Sequence, residues 1–184
     1  MTMSGKPKYT LLPDGTFVIE NYNRAKPFAS FFPGIAGLTG VPLWAFYVNR
    51  GQAIAAFGVK NKDNAIMEFF PANTAYALTP TMGFRTFLKI TTGHKTVFYE
   101  PFSTPDADAP GIQQTMRITA HDLTIEETHT SLGLKIRVRY FTLPREPLAA
   151  LVRVIEIENC GKIAKRRICW RASYEKSHAF AASS

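Results

Sequence analysis

Only two of the 184 residues are cysteines, Cys160 and Cys169. That is too few for a disulfide framework or a cysteine-rich zinc site. No run of eighteen apolar residues occurs, so no transmembrane helix is expected. The first eight residues lack an apolar core and a cleavage site, and a cytoplasmic location is expected from this. A nucleotide-binding glycine loop, zinc-ligand spacing and a Ser-His-Asp order are missing too, so neither cofactor nor metal is expected. Helical periodicity is scarce as well. The one candidate of useful length, at 65–78, is interrupted by Pro71, and no amphipathic helix of ten residues is expected.

Charge is plentiful but unevenly placed. The chain carries 22 Lys/Arg and 14 Asp/Glu, a formal net charge of +8. Residues 1–160 hold 16 of the basic and 13 of the acidic residues, which gives +3, and residues 161–184 hold the other 6 and 1, which gives +5. The body is nearly balanced, so its cations read as solvated faces rather than a phosphate-binding stripe. No nucleic-acid partner and no membrane partner are expected.

What is abundant is alternation. In Leu134-Lys135-Ile136-Arg137-Val138-Arg139-Tyr140 apolar and cationic residues alternate without a break, so one face is buried and the other wet. Phe84, Thr86, Leu88 and Ile90 interleave with Arg85 and Lys89 in the same way. Leu123, Ile125 and Glu127 alternate with Thr124, Glu126 and Thr128. Residues 53–59 are apolar on both faces, as suits a strand covered on both sides. Along 151–158 the phase switches near Val154 and Ile155, where a β-bulge is expected. Turn signals at Asp14-Gly15, Asn49-Arg50-Gly51, Lys62-Asp63-Asn64, Thr92-Gly93, Leu132-Gly133 and Cys160-Gly161 separate about a dozen short strands. The expected fold is all-β, a large β-sandwich with an irregular C-terminal tail. Its expected divisions are an N-terminal extension at 1–15, the sandwich at 16–163 and a divergent basic tail at 164–184.

One stretch is more specific. Pro33-Gly34-Ile35-Ala36-Gly37, Pro42-Leu43-Trp44, Tyr47-Val48-Asn49-Arg50-Gly51-Gln52, Asn61-Lys62-Asp63, Ile66-Met67-Glu68-Phe69 and Gly83-Phe84-Arg85-Thr86-Phe87 together resemble the N-terminal region of glycoside hydrolase family 94. Leu151-Val152-Arg153 and Ile157-Glu158-Asn159 also fit. Within the family the string is most similar to β-1,2-oligoglucan and cellobiose-type phosphorylases. The resemblance covers roughly residues 17–160. It implies a galactose-mutarotase-like supersandwich, followed in the family by a helical linker and an (α/α)6 barrel. The barrel carries the general acid and binds inorganic phosphate, the co-substrate that releases glucose 1-phosphate with inversion. None of those barrel residues maps onto this sequence, so no catalytic residue is expected in it. The implied partners are a β-glucan oligosaccharide and a second subunit or the catalytic barrel. The tail from Lys165 departs from the family pattern, as a shifted reading frame or a divergent last strand would make it do.

Three functions stay open on this basis: the N-terminal domain of a β-glucan phosphorylase-like protein, a stand-alone carbohydrate-binding β-sandwich, or a structural remnant without a ligand. The candidate substrate-binding residues are Trp44, Tyr47, Asn49, Arg50, Gln52 and Arg85. Trp44 and Tyr47 offer aromatic faces of the kind on which sugars stack, with core packing as the competing role. Asn49, Arg50 and Gln52 flank the turn at Gly51, where amides and a guanidinium could donate to sugar hydroxyls or phosphate oxygens. A hydrogen-bonded hairpin with a surface arginine is the alternative. Arg85 and Lys62 follow the same logic. Glu126 and Glu127 are adjacent on a strand and point to opposite faces, so they cannot form a catalytic pair. His121 and His129 sit about 26 Å apart along a strand, too far for one metal. Asp106 and Asp108 lie in a loop that lacks the other oxygen donors of a calcium site.

Overall fold

The computed structural model describes residues 6–103, 110–161 and 167–173. Asp106, Asp108 and the tail beyond 173 lie outside the described residues. The chain is an all-β, sandwich-like protein with one α-helix among the described residues. A six-stranded sheet is built from β1 (Lys8–Leu11), β2 (Phe17–Glu20), β9 (Ile112–Ile118), β10 (Asp122–His129), β11 (Leu134–Thr142) and β12 (Leu151–Asn159), neighbouring in that order. A four-stranded sheet runs β3 (Ala29–Ala36), β4 (Val41–Val48), β5 (Ile54–Val59) and β6 (Ala65–Met67). The third places β7 (Arg85–Thr92) between β8 (Lys95–Tyr99) and β13 (Arg167–Ser173). All strand pairs within the sheets are antiparallel.

The alternation sets which faces meet. Leu134, Ile136, Val138 and Tyr140 are fully buried, while Arg137 and Arg139 face solvent and Lys135 is half-buried. They join Ile19, Met116, Leu123 and Ile125 of the same sheet, Phe32, Ala45, Tyr47 and Ile54 of the four-stranded sheet, and Leu88 and Ile90 of β7 in one apolar core. A register slip of one residue would expose that whole set. The outer face of the six-stranded sheet is a charged ladder. Glu126 pairs with Lys135 (3.2 Å) and Arg137 (3.0 Å), Arg137 with Glu156 (2.8 Å), and Arg139 with Asp122 (2.7 Å).

Two sequence expectations are corrected. Helix α1 spans Ala72–Met82. Pro71 caps its start instead of breaking it, because a proline just outside the first turn sacrifices no helical hydrogen bond. Pro80 stands inside, near the C-terminal end. Ala75 packs on Phe46, Val48, Ala55 and Ala56, which covers the second apolar face of β5. The other correction concerns β12. It pairs with β11 in unbroken register from Leu151↔Thr142 to Asn159↔Leu134, so there is no bulge at Val154–Ile155. Arg153 faces inward, opposite Tyr140, with Ile155 and Ile157 on the same side. The apparent change of phase is a polar residue on the core face, and Val154 lies outside. The irregularities fall instead between Phe46 and Tyr47 in the β4–β5 pair and between Phe57 and Gly58 in the β5–β6 pair.

Candidate functional site

Glycine and aromatic residues shape the outer face of the four-stranded sheet. On β3 and β4, Phe31 lies opposite Phe46 and Pro33 opposite Trp44, so these positions share one face. The Phe31 ring lies 4.8 Å from Phe46, 5.9 Å from Phe69 in a stacked arrangement and 6.2 Å from Trp44 edge-on. Phe69 closes the group, 5.0 Å from Phe46 and 6.1 Å from Trp44. The Trp44 indole is fixed in two ways. Its Nε1–H donates to the Asn61 carbonyl at 3.1 Å, and the ring lies so close over Gly58 that a Cβ there would come within 2.8 Å of Trp44 Cζ2 and 2.5 Å of the Asn64 carbonyl.

Helix α1 packs through Ala75 on Phe46 and Val48 of this face. Beside Phe46, Phe31 is 49% exposed and Phe69 37%, and further along β3 Ile35 is 63% exposed. The bordering turn presents Asn61, Lys62, Asp63 and Asn64, all exposed. Asn61 Oδ1 accepts from Asp63 N (3.1 Å) and Asn64 Nδ2 (2.8 Å), and Lys62 pairs with Asp63 at 2.6 Å. The hydrogen bond to Asp63 raises the Lys62 ammonium above its usual pKa. The result is a preformed aromatic surface with amide and charged groups at its rim.

The residues of the 49–53 turn are placed otherwise. Asn49 is fully buried. Its Nδ2 donates to the Tyr22 and Lys26 carbonyls (3.0 Å each), and its Oδ1 accepts from Phe28 N (2.9 Å). The Tyr76 hydroxyl reaches Asn49 Oδ1 and the Phe28 carbonyl, and burial pushes its pKa to about 12. Arg50 donates to the carbonyls of Asn49 (2.7 Å) and Ala25 (3.1 Å) and lies 5.2 Å over the Tyr76 ring. Gly51 has φ 52°, a left-handed conformation, and a Cβ on it would meet Pro80 Cα at 2.9 Å, so glycine alone fits beneath α1. Tyr22 donates to the Gly51 carbonyl at 2.6 Å.

Gln52 points into the core, where its Oε1 accepts from Thr86 Oγ1 (3.2 Å) and Arg153. Tyr47 is buried in the main core, and burial raises its pKa. Arg85 forms a two-pronged pair with Glu100 (2.6 and 2.7 Å) and lies 4.7 Å over Phe87. The six sequence candidates therefore occupy four places. Trp44 is on the aromatic face, Asn49 and Arg50 brace the turn, Tyr47 and Gln52 are interior, and Arg85 sits on the third sheet. Phe31 and Phe69 escaped sequence reasoning. Phe31 could have been found from its same-face position two residues before Pro33. Phe69 follows β6, where no periodicity marks it.

A second polar group spans the core. Glu127 is fully buried and accepts hydrogen bonds from Gln114 Nε2 (2.7 Å), Phe102 N (2.7 Å) and the Tyr99 hydroxyl. Gln114 Oε1 in turn accepts from Asn23 Nδ2 (2.7 Å), whose Oδ1 accepts from Gly51 N (3.1 Å). Each of these bonds joins buried groups from different segments, so this chain of contacts braces the turn against β10. No known protein-family model matches the chain, and no characterised protein matches it in sequence.

Proposed function

We propose that this chain is the N-terminal β-sandwich domain of a β-glucan phosphorylase-like protein of the glycoside hydrolase family 94 type. In this reading it binds glucan and contributes to subunit assembly, and it performs no catalysis by itself. The observation that carries the reading is the aromatic face on which Phe31 and Phe69 are exposed and Trp44 is half-buried beside them. The charged ladder on the opposite outer face is a solvated surface, but exposed rings on a rigid sheet lose free energy to water and mark a binding site. The axial C–H groups of β-glucosyl rings suit such a surface, and the Asn61–Asn64 rim supplies donors and acceptors for the hydroxyls.

Calorimetric titration of the chain with β-1,2- and β-1,4-gluco-oligosaccharides tests this. Saturable binding is expected, weakened at least tenfold, or about 1.4 kcal/mol, by Trp44→Ala. Absence of binding to either series by the folded wild-type chain would overturn the reading. The same samples with inorganic phosphate should release no glucose 1-phosphate, since the general acid lies elsewhere.

A further inference from the structure

In the third sheet, β13 runs antiparallel along β7 and β8 flanks β7 on its other side. Thr86, Leu88 and Ile90 of β7 are buried, so Arg85, Phe87 and Lys89 belong to the outer face of this sheet. Phe98 of β8 lies opposite Lys89 and is 76% exposed, more than any other large apolar side chain among the described residues. Each ring has a cation beside it. The Lys89 ammonium lies 5.7 Å from the Phe98 centroid, and the Arg85 guanidinium lies 4.7 Å from that of Phe87.

Positive charge gathers here. The three strands and the flanking Arg85–Glu100 pair hold Arg85, Lys89, Lys95, Arg167 and Arg171 against Glu100 alone, which gives +4, half of the chain's +8. Glu100 is taken up by Arg85. Lys89, His94 and Lys95 are exposed, and among the described residues neither lysine pairs with a carboxylate. The outer cations of the six-stranded sheet are instead balanced by Asp122, Glu126 and Glu156. Arg167 and Arg171 are far from the β7–β8 hairpin in sequence, but β13 sets them in register with Thr91 and Phe87. The near balance of residues 1–160, from which no nucleic-acid partner is expected, does not extend to this sheet.

We propose that the outer face of the β7–β8–β13 sheet binds single-stranded nucleic acid. Phe87 and Phe98 occupy diagonal positions on neighbouring strands, about 7–8 Å apart, and offer stacking surfaces for successive bases, while the surrounding cations track the phosphates. A flat apolar ring with a positive charge at its side suits a base and its phosphate together. A second copy of the chain is a poor occupant, since +4 would meet +4. A lipid surface fits less well too, because the hairpin tip at Thr92–Lys95 has no large apolar side chain to enter a bilayer. The face is separate from the Trp44 surface and does not rest on the glucan reading.

Fluorescence anisotropy of a labelled oligothymidylate of about twelve nucleotides, a length within the reach of such a sheet, tests this on the full chain. Saturable binding is expected, weakened at least about tenfold between roughly 50 and 200 mM salt. A duplex of the same length, whose bases stack on one another, should bind more weakly. Phe98→Ala removes a side chain that lies mostly in solvent, so the fold is kept, and affinity should fall at least about fivefold. Lys89→Glu should weaken binding and flatten its salt dependence. Absence of saturable binding at low salt, a duplex bound as tightly as the single strand, or a Phe98→Ala affinity equal to wild type would overturn the proposal. Sedimentation with phosphatidylserine vesicles in the absence of oligonucleotide binding would also overturn it and reassign the face to lipid.

Discussion

At the scale of single residues, position was more legible than partnership. Alternation puts Glu127 on the same face as Leu123 and Ile125, and it is there, fully buried. Its partners Tyr99, Phe102 and Gln114 come from other segments, which no local pattern relates. Arg153 breaks an apolar run, and it read as a change of phase because inward arginines are rare. The tyrosines extend this to pH. Burial raises the hydroxyls of Tyr22 and Tyr140, Tyr22 well above its ordinary value. Below about pH 10 both folded and unfolded chains keep these protons, so stability is fully present. Above it the unfolded chain releases them and the folded chain holds them, so stability falls by up to about 1.4 kcal/mol per pH unit for each tyrosine. Urea melts between pH 9 and 11.5 should show this decline, and Tyr22→Phe should make it shallower by about one proton. Equal slopes for variant and wild type would contradict the assignment.

At the scale of elements, strands announced themselves and the helix did not. The period-two runs at 84–90, 123–128 and 134–140 match β7, β10 and β11. The run at 53–59 was legible as covered on both sides, though not what covers it. Helix α1 was hidden because Pro71, which looks like a breaker, stands just before the first turn, where it costs no helical hydrogen bond. The segment 167–173 showed no alternation, yet it pairs with β7 through seven registered positions from Arg167↔Thr91 to Ser173↔Arg85. Non-local pairing of this kind is set by the partner strand as much as by the segment. Deleting residues 165–184 strips β7 of that neighbour and opens an edge. The urea midpoint is expected to drop by more than about 1 M, over 2 kcal/mol at a slope of roughly 2 kcal/mol/M. An unchanged midpoint would show that the strand adds nothing to the fold.

At the scale of the whole molecule, the two outer faces differ in kind. The six-stranded sheet presents compensated charge, with Glu126, Arg137 and Glu156 bridged across three strands. The four-stranded sheet presents aromatic rings, half covered by α1 and half open. Trp44 was legible as a candidate because an indole beside a turn has a polar edge and a flat face. The surface it belongs to was not, since it assembles Phe31, Phe46 and Phe69 from three segments of the chain. Among the described residues no helix is long and apolar enough to cross a membrane, so the open rings are not part of a membrane-spanning helix. The most direct measurement of the central claim is a residue-resolved nitrogen-15 shift map of the chain during titration with β-gluco-oligosaccharides. The Trp44 indole N–H and the amides of Phe31, Asn61, Asn64 and Phe69 should move together and saturate at one dissociation constant, with the charged face of β10 and β11 still. A footprint confined to the β10–β11 face, or no saturable shift at Trp44, would contradict the account.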